Sequence, residues 1–465
     1  MASSLSNRIA RFHEACKQFE SSTDANLPSY FSNTAAIDEV ANFDSPKALA
    51  VGLKGIGKTA AFRYFSEFGK GPDVVIGINK DRFSLHLLNK NLNYATCCKQ
   101  FEHDIVLEAL RAVHRSRKTL SKKLNGSLVD SAAKQVASYT DTLKALAARF
   151  SGASILGFGF TLSKSDTPVV IGLREDAEIL EAFRTLEEIC KKGVKIRIVV
   201  DDPEQVFSAS RDLDTHLVGG FCLAALRLSH RIRGLKIIPL LKTHVYYPVL
   251  IDVDDLRKYP DHMARLCWFN KELIDVVDSR MYWAGVVYTD VFEGTDKQAR
   301  KILEDMSSSI RNGPRDLLRW IDLCLQATKG ARIANSTVQQ TKKRMSVDSL
   351  GELASAHSGK YPKIAAVIRT IFRDSPTRKF KRRELGQHIQ NLLIKDPEMK
   401  SISKLPWMQI ESSQTLVELL FETGAIALET GGTLTLPFQE GYDAESFETA
   451  DTLVLVPALI EAVTK

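Results

Sequence analysis

The sequence predicts an α/β fold: a parallel sheet with helices on both faces, a helical lid, and a smaller α+β domain at the C-terminal end. Three observations predict it. Between 47 and 250, short apolar, β-branched runs alternate with longer stretches of helical periodicity. Strands separated by helices imply a parallel sheet covered on both sides. The first of those runs opens into a glycine-rich loop and then a largely apolar, Gly-free segment. Near the end of the chain, three apolar helical stretches precede two alternating runs joined by Gly-Gly, which reads as a hairpin.

The glycine-rich loop, Gly52-Leu-Lys-Gly-Ile-Gly-Lys58-Thr59, matches G-x-x-x-x-G-K-[ST] at every fixed position. From average composition, a chance match in a chain this long has odds of roughly one in a hundred. The chemistry requires this order. A strand delivers the chain into a loop whose N–H groups wrap phosphates, and the following helix points its positive end at the anion. Gly52, Lys54, Gly55, Ile56, Gly57, Lys58, Thr59 and Ala60 are the expected nucleotide-binding residues. Lys58 is expected to reach the β- and γ-oxygens and Thr59 to bind Mg²⁺.

Bulk properties fit a globular protein of two or three domains. The 465 residues carry 63 basic and 56 acidic side chains, a net +7 that permits nucleic-acid contact without arguing for it. The seven cysteines are scattered and odd in number, with no C-x-x-C pair, which points to reduced, buried thiols and a cytoplasmic setting. No apolar run approaches membrane length, and the Ser-rich start lacks a signal core.

Residues 1–46 read as a helical lead-in, with Ile9, Phe12, Cys16 and Phe19 at helical spacing. The core spans 47–250, with strands expected at Lys47–Val51, Asp73–Ile78, Val194–Val200 and Leu235–Leu241. The long gap before Val194 implies an inserted helical segment and a hairpin near Gly152–Ser165. Residues 251–328 read as a helical lid, 329–344 as a polar, basic linker, and 345–465 as the smaller domain.

A second signal is Val194-Lys-Ile-Arg-Ile-Val-Val-Asp201-Asp202-Pro-Glu204, an apolar strand ending in carboxylates. Asp201, the first acid past the strand, is expected to complete the metal site opposite Thr59. Asp202 is the expected base for the attacking water, with Glu204 in reserve. The strand Leu235–Leu241 ends in Lys242-Thr243-His244. Thr243 is the expected γ-phosphate sensor, since a hydroxyl can bond the phosphate or the water; Lys242 can supply charge instead, and His244 reads as a packed histidine. Further on, Pro314 sits at the first turn of an apolar helix. Arg315, next to it, is placed to reach the nucleotide or to pair with Asp316 or Glu304.

With these segments in this order, the chain resembles bacterial P-loop ATPases of the STAND and AAA+-related (KAP-like) kind over residues 20–330. Trp268-Phe-Asn-Lys-Glu-Leu-Ile-Asp-Val-Val-Asp-Ser-Arg280-Met is similar to the start of their lid. The resemblance implies an additional-strand fold, ATP and Mg²⁺, a homo-oligomer or a partner effector protein, and a phosphate-sensing role for Arg280. Proteins of this kind also occur in anti-phage defence systems. No aromatic-glycine pore loop is present, which argues against threading of a substrate. Asn79-Lys80-Asp81 lacks the spacer of the guanine-reading N-K-x-D motif, so GTP specificity is unsupported.

In the C-terminal region, helices are expected at Lys363–Phe372, Arg382–Ile394 and Ser413–Phe421, followed by the hairpin around Gly431-Gly432. This is the winged-helix order. The cluster Arg378–Arg383 allows a DNA contact, whereas Glu384, Glu411, Glu418, Glu422 and Glu429 dilute its charge and favour protein–protein packing. Arg111–Lys123 reads as a solvated helix face. Two functions therefore compete: a nucleotide-controlled signalling ATPase, and an initiator-type ATPase that loads on DNA through the winged helix.

Overall fold

The computed structural model describes residues 4–18, 21–78, 93–149, 154–156, 159–161, 176–204, 215–258, 261–310, 313–328, 331–373, 375, 377–410, 412–430, 433–436 and 452–464. The chain divides into two compact units. A sheet unit comprises Asn33–Leu53 and Lys58–Leu266, and a helical unit comprises Met1–Ser32, Lys54–Gly57 and Cys267–Lys465.

In the sheet unit the strands are β1 (Leu49–Gly52), β2 (Val74–Ile78), the short hairpin of β3 (Ser154–Leu156) and β4 (Gly159–Thr161), β5 (Ile196–Asp201), β6 (Leu235–Lys242) and β7 (Met263–Leu266). Five of them form a parallel sheet in the order β2-β5-β6-β1-β7. Thus β6 lies between the strand that enters the glycine-rich loop and the strand that ends in Asp201. This is the additional-strand arrangement of a P-loop NTPase fold. The strands are mostly apolar, as expected of a parallel sheet covered by helices; β1 is buried at every position and β6 at every position before Lys242, with Arg197 in β5 and Lys236 in β6 as buried charged exceptions. The Thr215–Arg231 helix packs against the Tyr94–Arg115 helix, with Phe221 and Phe101 rings edge-on at 5.3 Å. Gly220 permits that approach, since a Cβ there would lie 2.6 Å from the Cβ of Cys97.

The four expected core strands form, each within two residues of the predicted ends, and the hairpin forms inside 152–165. The sheet also runs past residue 250, because β7 pairs with β1. Only four residues long, with burial alternating along it, β7 has too short a pattern to stand out from the helical periodicity around it.

The helical unit begins with Leu5–Lys17, whose Phe12 and Cys16 enter a core shared with Leu273, Val277, Leu303, Leu317 and Trp320. Arg8 Nη1 donates to the Gly285 carbonyl (2.6 Å), and His13 Nε2 lies 2.8 Å from Asp322 Oδ1. Phe19 lies outside the described residues. The lead-in is not one element, since 33–46 belong to the sheet unit.

The expected linker is corrected: Asn335–His357 is one helix, which buries Val338, Met345, Leu350 and Leu353. Asn335, Ser336, Gln339, Gln340 and Lys343 are exposed on its solvent face, while Thr341 turns inward and accepts from Trp320 Nε1 at 2.9 Å; a polar helix face and a polar linker share one composition. Beyond it come Ile364–Phe372, β8 (Lys379–Phe380), Arg382–Lys395, Ser413–Glu422, then β9 (Ile426–Thr430), β10 (Thr433–Thr435) and β11 (Thr452–Leu455). This smaller domain has the winged-helix order of elements. Its antiparallel sheet runs β10-β9-β11-β8, so β11, which the sequence reading did not anticipate, separates β9 from β8. Gly431 and Gly432 lie outside the described residues.

Candidate functional site

Register places the expected residues at one edge of the parallel sheet. Gly52 at the end of β1 pairs with Lys242 at the end of β6, and Asp201 at the end of β5 pairs with Leu240. The C-terminal ends of three neighbouring strands thus deliver the loop, the strand-end acids and Lys242-Thr243 together. In open parallel sheets this is the edge where ligands bind.

Lys58 opens the helix Lys58–Arg63, which continues as a wider π turn over Tyr64–Phe68. Its side chain is buried, and Nζ donates to the carbonyls of Gly52 (3.1 Å) and Leu53 (2.8 Å). Burial pushes its pKa down to about 8, against the pull of Asp202, Glu204 and Asp201. A buried ammonium held only by carbonyls is under-neutralised, and an anion would compensate it. Gly55 (φ +87°) and Gly57 (φ +98°) supply left-handed conformations on either side of Ile56, which a loop wrapping phosphates with its amides needs.

Asp201 accepts a hydrogen bond from the Thr59 hydroxyl, while its Oδ1 is buried with no hydrogen-bond partner among the described residues. Burial, together with the Asp202 charge, raises its pKa to about 6. Thr243 Oγ1, at the start of the helix Thr243–Asp252, is likewise buried and unbonded among the described residues. The Thr59 hydroxyl and the orphaned Asp201 Oδ1 suit a hard divalent cation that takes its remaining ligands from water and phosphates. Among the described residues no group of three or more His, Cys, Asp or Glu could hold a metal by itself. The Thr59 and Asp201 donors fit Mg²⁺ arriving with a nucleotide.

Beyond Asp201 the backbone turns sharply. Asp202 has φ +46°, a left-handed conformation that Asp tolerates better than most residues, and after Pro203 the chain returns Glu204 to the same edge. Lys242 Nζ lies 2.9 Å from Asp202 Oδ2 and 2.9 Å from Glu204 Oε1. Burial acts to lower the Lys242 pKa, and the two carboxylates more than offset it, so the net shift is upward. The Glu204 pKa is raised by burial, with Lys242 opposing. Lys242, which the sequence offered only as an alternative source of charge, is the group that unites the two candidate bases. The His244 side chain lies outside the described residues, as does Asn79-Lys80-Asp81.

In the helical unit, the loop tip Lys54–Gly57 meets Trp268, whose indole Nε1 donates to the Ile56 carbonyl at 2.7 Å. Lys54 is exposed and Ile56 buried; Ala60 is half-buried in the first turn after the loop. Gly313 (φ +105°) packs so closely that a Cβ there would lie 3.0 Å from Trp268 Cδ1 and 3.2 Å from Ile56 Cδ1. Arg315, half-buried, lies two residues further on in the helix Pro314–Thr328. Arg280 does not match its expected role. It is buried, donates to Ala15 O (3.3 Å) and Val276 O (3.2 Å), and stacks 4.4 Å above the Tyr30 ring, so it fastens the N-terminal segment and presents no free guanidinium. The Trp268–Ile56 bond joins residues 212 apart, and no sequence signal marks it.

No protein-family model matches the sequence, and neither does any curated protein sequence. Among solved structures, similar ones include a Walker-type ATPase of Pyrococcus abyssi, at 14% identity and TM-score 0.45 over 93% of this chain and 95% of that one. Another is the ORC2 protein of Aeropyrum pernix in ADPNP and ADP complexes, at 12% identity and TM-score 0.40 over 95% and 97%. A third is the ORC1 protein of Aeropyrum pernix in complex with DNA, at 11% identity and TM-score 0.31 over 98% and 91%. With TM-scores below 0.5, these likenesses decide neither family nor activity. The phosphate-loop motif and the strand order β2-β5-β6-β1-β7 carry the fold.

Proposed function

We propose that the chain is a Mg²⁺-dependent ATPase that works as a nucleotide-controlled switch. The observation that supports it best is the grouping of Lys58, Thr59, Asp201 and the Lys242-bridged pair Asp202 and Glu204 at one sheet edge. The adenine preference comes from the resemblance of the motifs. In this reading Lys58 exchanges the carbonyls of Gly52 and Leu53 for the β- and γ-oxygens. Thr59 and Asp201 would hold Mg²⁺, which when bound neutralises phosphate charge. Lys242, drawn to the γ-phosphate, releases a carboxylate of the Asp202–Glu204 pair. That carboxylate takes the proton of the water as its oxygen bonds phosphorus and the bond to ADP breaks. Thr243 orients the same water or the γ-phosphate, and Arg315 is the candidate sensor of the γ-phosphate. Because Lys242 neutralises both candidate bases beforehand, turnover is slow until nucleotide engages it.

The nucleotide state then sets assembly with further copies or an effector protein. Charge pairing in the smaller domain favours this over loading on DNA. Lys379 is 2.5 Å from Glu429 and Arg382 is 2.5 Å from Glu418, so two cations of the basic cluster are already neutralised. The helix preceding the hairpin, Ser413–Glu422, carries two glutamates and no basic residue. The test measures ATP hydrolysis with and without Mg²⁺ and duplex DNA, and molecular mass with and without ATP. Mg²⁺-dependent turnover, indifferent to DNA, with a nucleotide-dependent mass is the expected result. Many-fold stimulation by duplex that weakens steeply with salt replaces the switch with the DNA-loading reading, and absence of turnover removes both.

A further inference from the structure

We propose that Trp268 is a positioning residue that aims the phosphate loop and ties the loop tip to the helix Pro314–Thr328, an inference that rests on the nucleotide-binding reading above. A loop that wraps an anion with its N–H groups turns carbonyls outward, and each of those needs a partner. The peptide between Ile56 and Gly57 is planar and trans, so its carbonyl and its N–H point in opposite directions. The indole holds that carbonyl at 2.7 Å. It therefore fixes the Gly57 N–H on the side away from the indole, where a phosphate-wrapping loop needs it.

The indole is itself immobilised. It packs against the core containing Leu273, Val277, Leu317 and Ile321. The next residue, Phe269, begins the helix Asn270–Ala284, and its N–H donates to Glu272 Oε2 at 2.9 Å, which secures the helix start. On the other side Gly313, with no side chain, accepts both the indole and Ile56 against its backbone. A displacement of the Ile56 carbonyl on phosphate binding must move the indole or break the bond. In either case the packing at the start of Pro314–Thr328 changes. Phosphate-loop occupancy is thus read within the helical unit through one hydrogen bond and one close contact.

The full-length chain is tested as wild type, Trp268→Phe and Gly313→Ala, with ADP and a non-hydrolysable ATP analogue as probes. Phenylalanine keeps most of the packing and removes the donor. The expected result is a Kd higher by about three- to tenfold for both nucleotides. KM for ATP should rise similarly, with kcat at saturation and the thermal midpoint little changed. Gly313→Ala crowds both Trp268 and Ile56, each of which must shift by a few tenths of an ångström, and demands φ +105° of alanine, so it should weaken both nucleotides as well. Tryptophan emission should change on nucleotide addition in wild type and lose most of that change in Trp268→Phe. If Trp268→Phe binds both nucleotides like wild type, the inference fails and the ATPase reading stands. If wild type binds neither nucleotide, both fail.

Discussion

Arg197 and Lys236 lie side by side in the parallel β5–β6 ladder, both almost fully buried. Neither has a buried carboxylate as ion-pair partner among the described residues. Arg197 Nη2 donates to the Ala41 carbonyl (3.1 Å) and stacks over Phe43 and Phe65, and Lys236 Nζ donates to the Ser45 carbonyl (2.7 Å). The segment entering β1 is thus held down by two buried cations through backbone oxygens. Burial, reinforced by the Arg197 charge, pushes the Lys236 pKa down to about 8.

That pair predicts how stability varies with alkaline pH. The folded chain releases the Lys236 proton near pH 8 and the unfolded chain near the ordinary lysine value of 10.5. Between those values the unfolded state binds more protons, so stability rises with pH; below pH 8 the full cost of the buried charge is present. Lys58, also near 8, acts in the same direction. Lys236→Met removes one of the two contributions and should stabilise the chain at pH 7 by about 1–3 kcal/mol. Urea midpoints from pH 7 to 10 check this. A wild-type midpoint that falls steadily over that range, or a less stable methionine variant at pH 7, contradicts it.

Much of this was legible in the sequence because the signals were local. The phosphate loop, the β-branched runs and the Val-Val-Asp201-Asp202 strand end each carry their meaning within a dozen residues. So does the winged-helix order. What escaped depends on distant partners. β7 and β11 are short strands that matter only because β1, β9 and β8 leave edges for them. Arg280 resembled a phosphate sensor by its place in a motif, yet the carbonyls of Ala15 and Val276 and the Tyr30 ring claim it. The Lys242 bridge depends on the left-handed turn at Asp202, which no residue pattern announces.

Lys58→Ala should abolish nucleotide binding without unfolding the chain. It removes the charge aimed at phosphate and, with it, a buried ammonium whose desolvation costs stability, so the thermal midpoint should hold or rise. The wild type adds a second reading. Free Lys58 titrates near pH 8 and phosphate favours its charged form, so binding takes up a proton above that pH. Affinity should fall by up to about tenfold per pH unit above pH 8. Calorimetry in buffers of different ionisation enthalpy detects the uptake. Tight ATP binding by the alanine variant would exclude the phosphate-loop role.

Substitutions at the strand-end acids separate their roles. Asp201→Asn should weaken Mg²⁺ dependence while leaving metal-free nucleotide binding nearly intact. In the wild type, protonation of Asp201 near pH 6 should weaken Mg²⁺ as pH falls through that value. Asp202→Asn preserves the left-handed turn, since Asn adopts it readily, and should keep Mg-ATP bound while slowing hydrolysis by about a hundredfold or more. Single-turnover rates at saturating Mg-ATP decide the matter. A dead Glu204→Gln beside an active Asp202→Asn moves the base two positions along the chain.

Arg315→Ala tests whether Arg315 reads the γ-phosphate. Arg315 stands two residues from Gly313, whose backbone packs on Ile56 at the loop tip. A ligand shifts a conformational equilibrium only as far as it binds the two states differently, so a γ-phosphate sensor must distinguish ATP from ADP. A charge-assisted hydrogen bond to phosphate contributes about 1.5–3 kcal/mol, which sets the expected loss of ATP affinity at roughly ten- to a hundredfold. ADP affinity should barely change, and turnover should slow. A solvent-exposed ion pair would contribute about 0–1 kcal/mol and make no distinction between the nucleotides. Paired titrations of ADP and a non-hydrolysable ATP analogue therefore decide the role of Arg315, and equal small effects on both would return it to the surface.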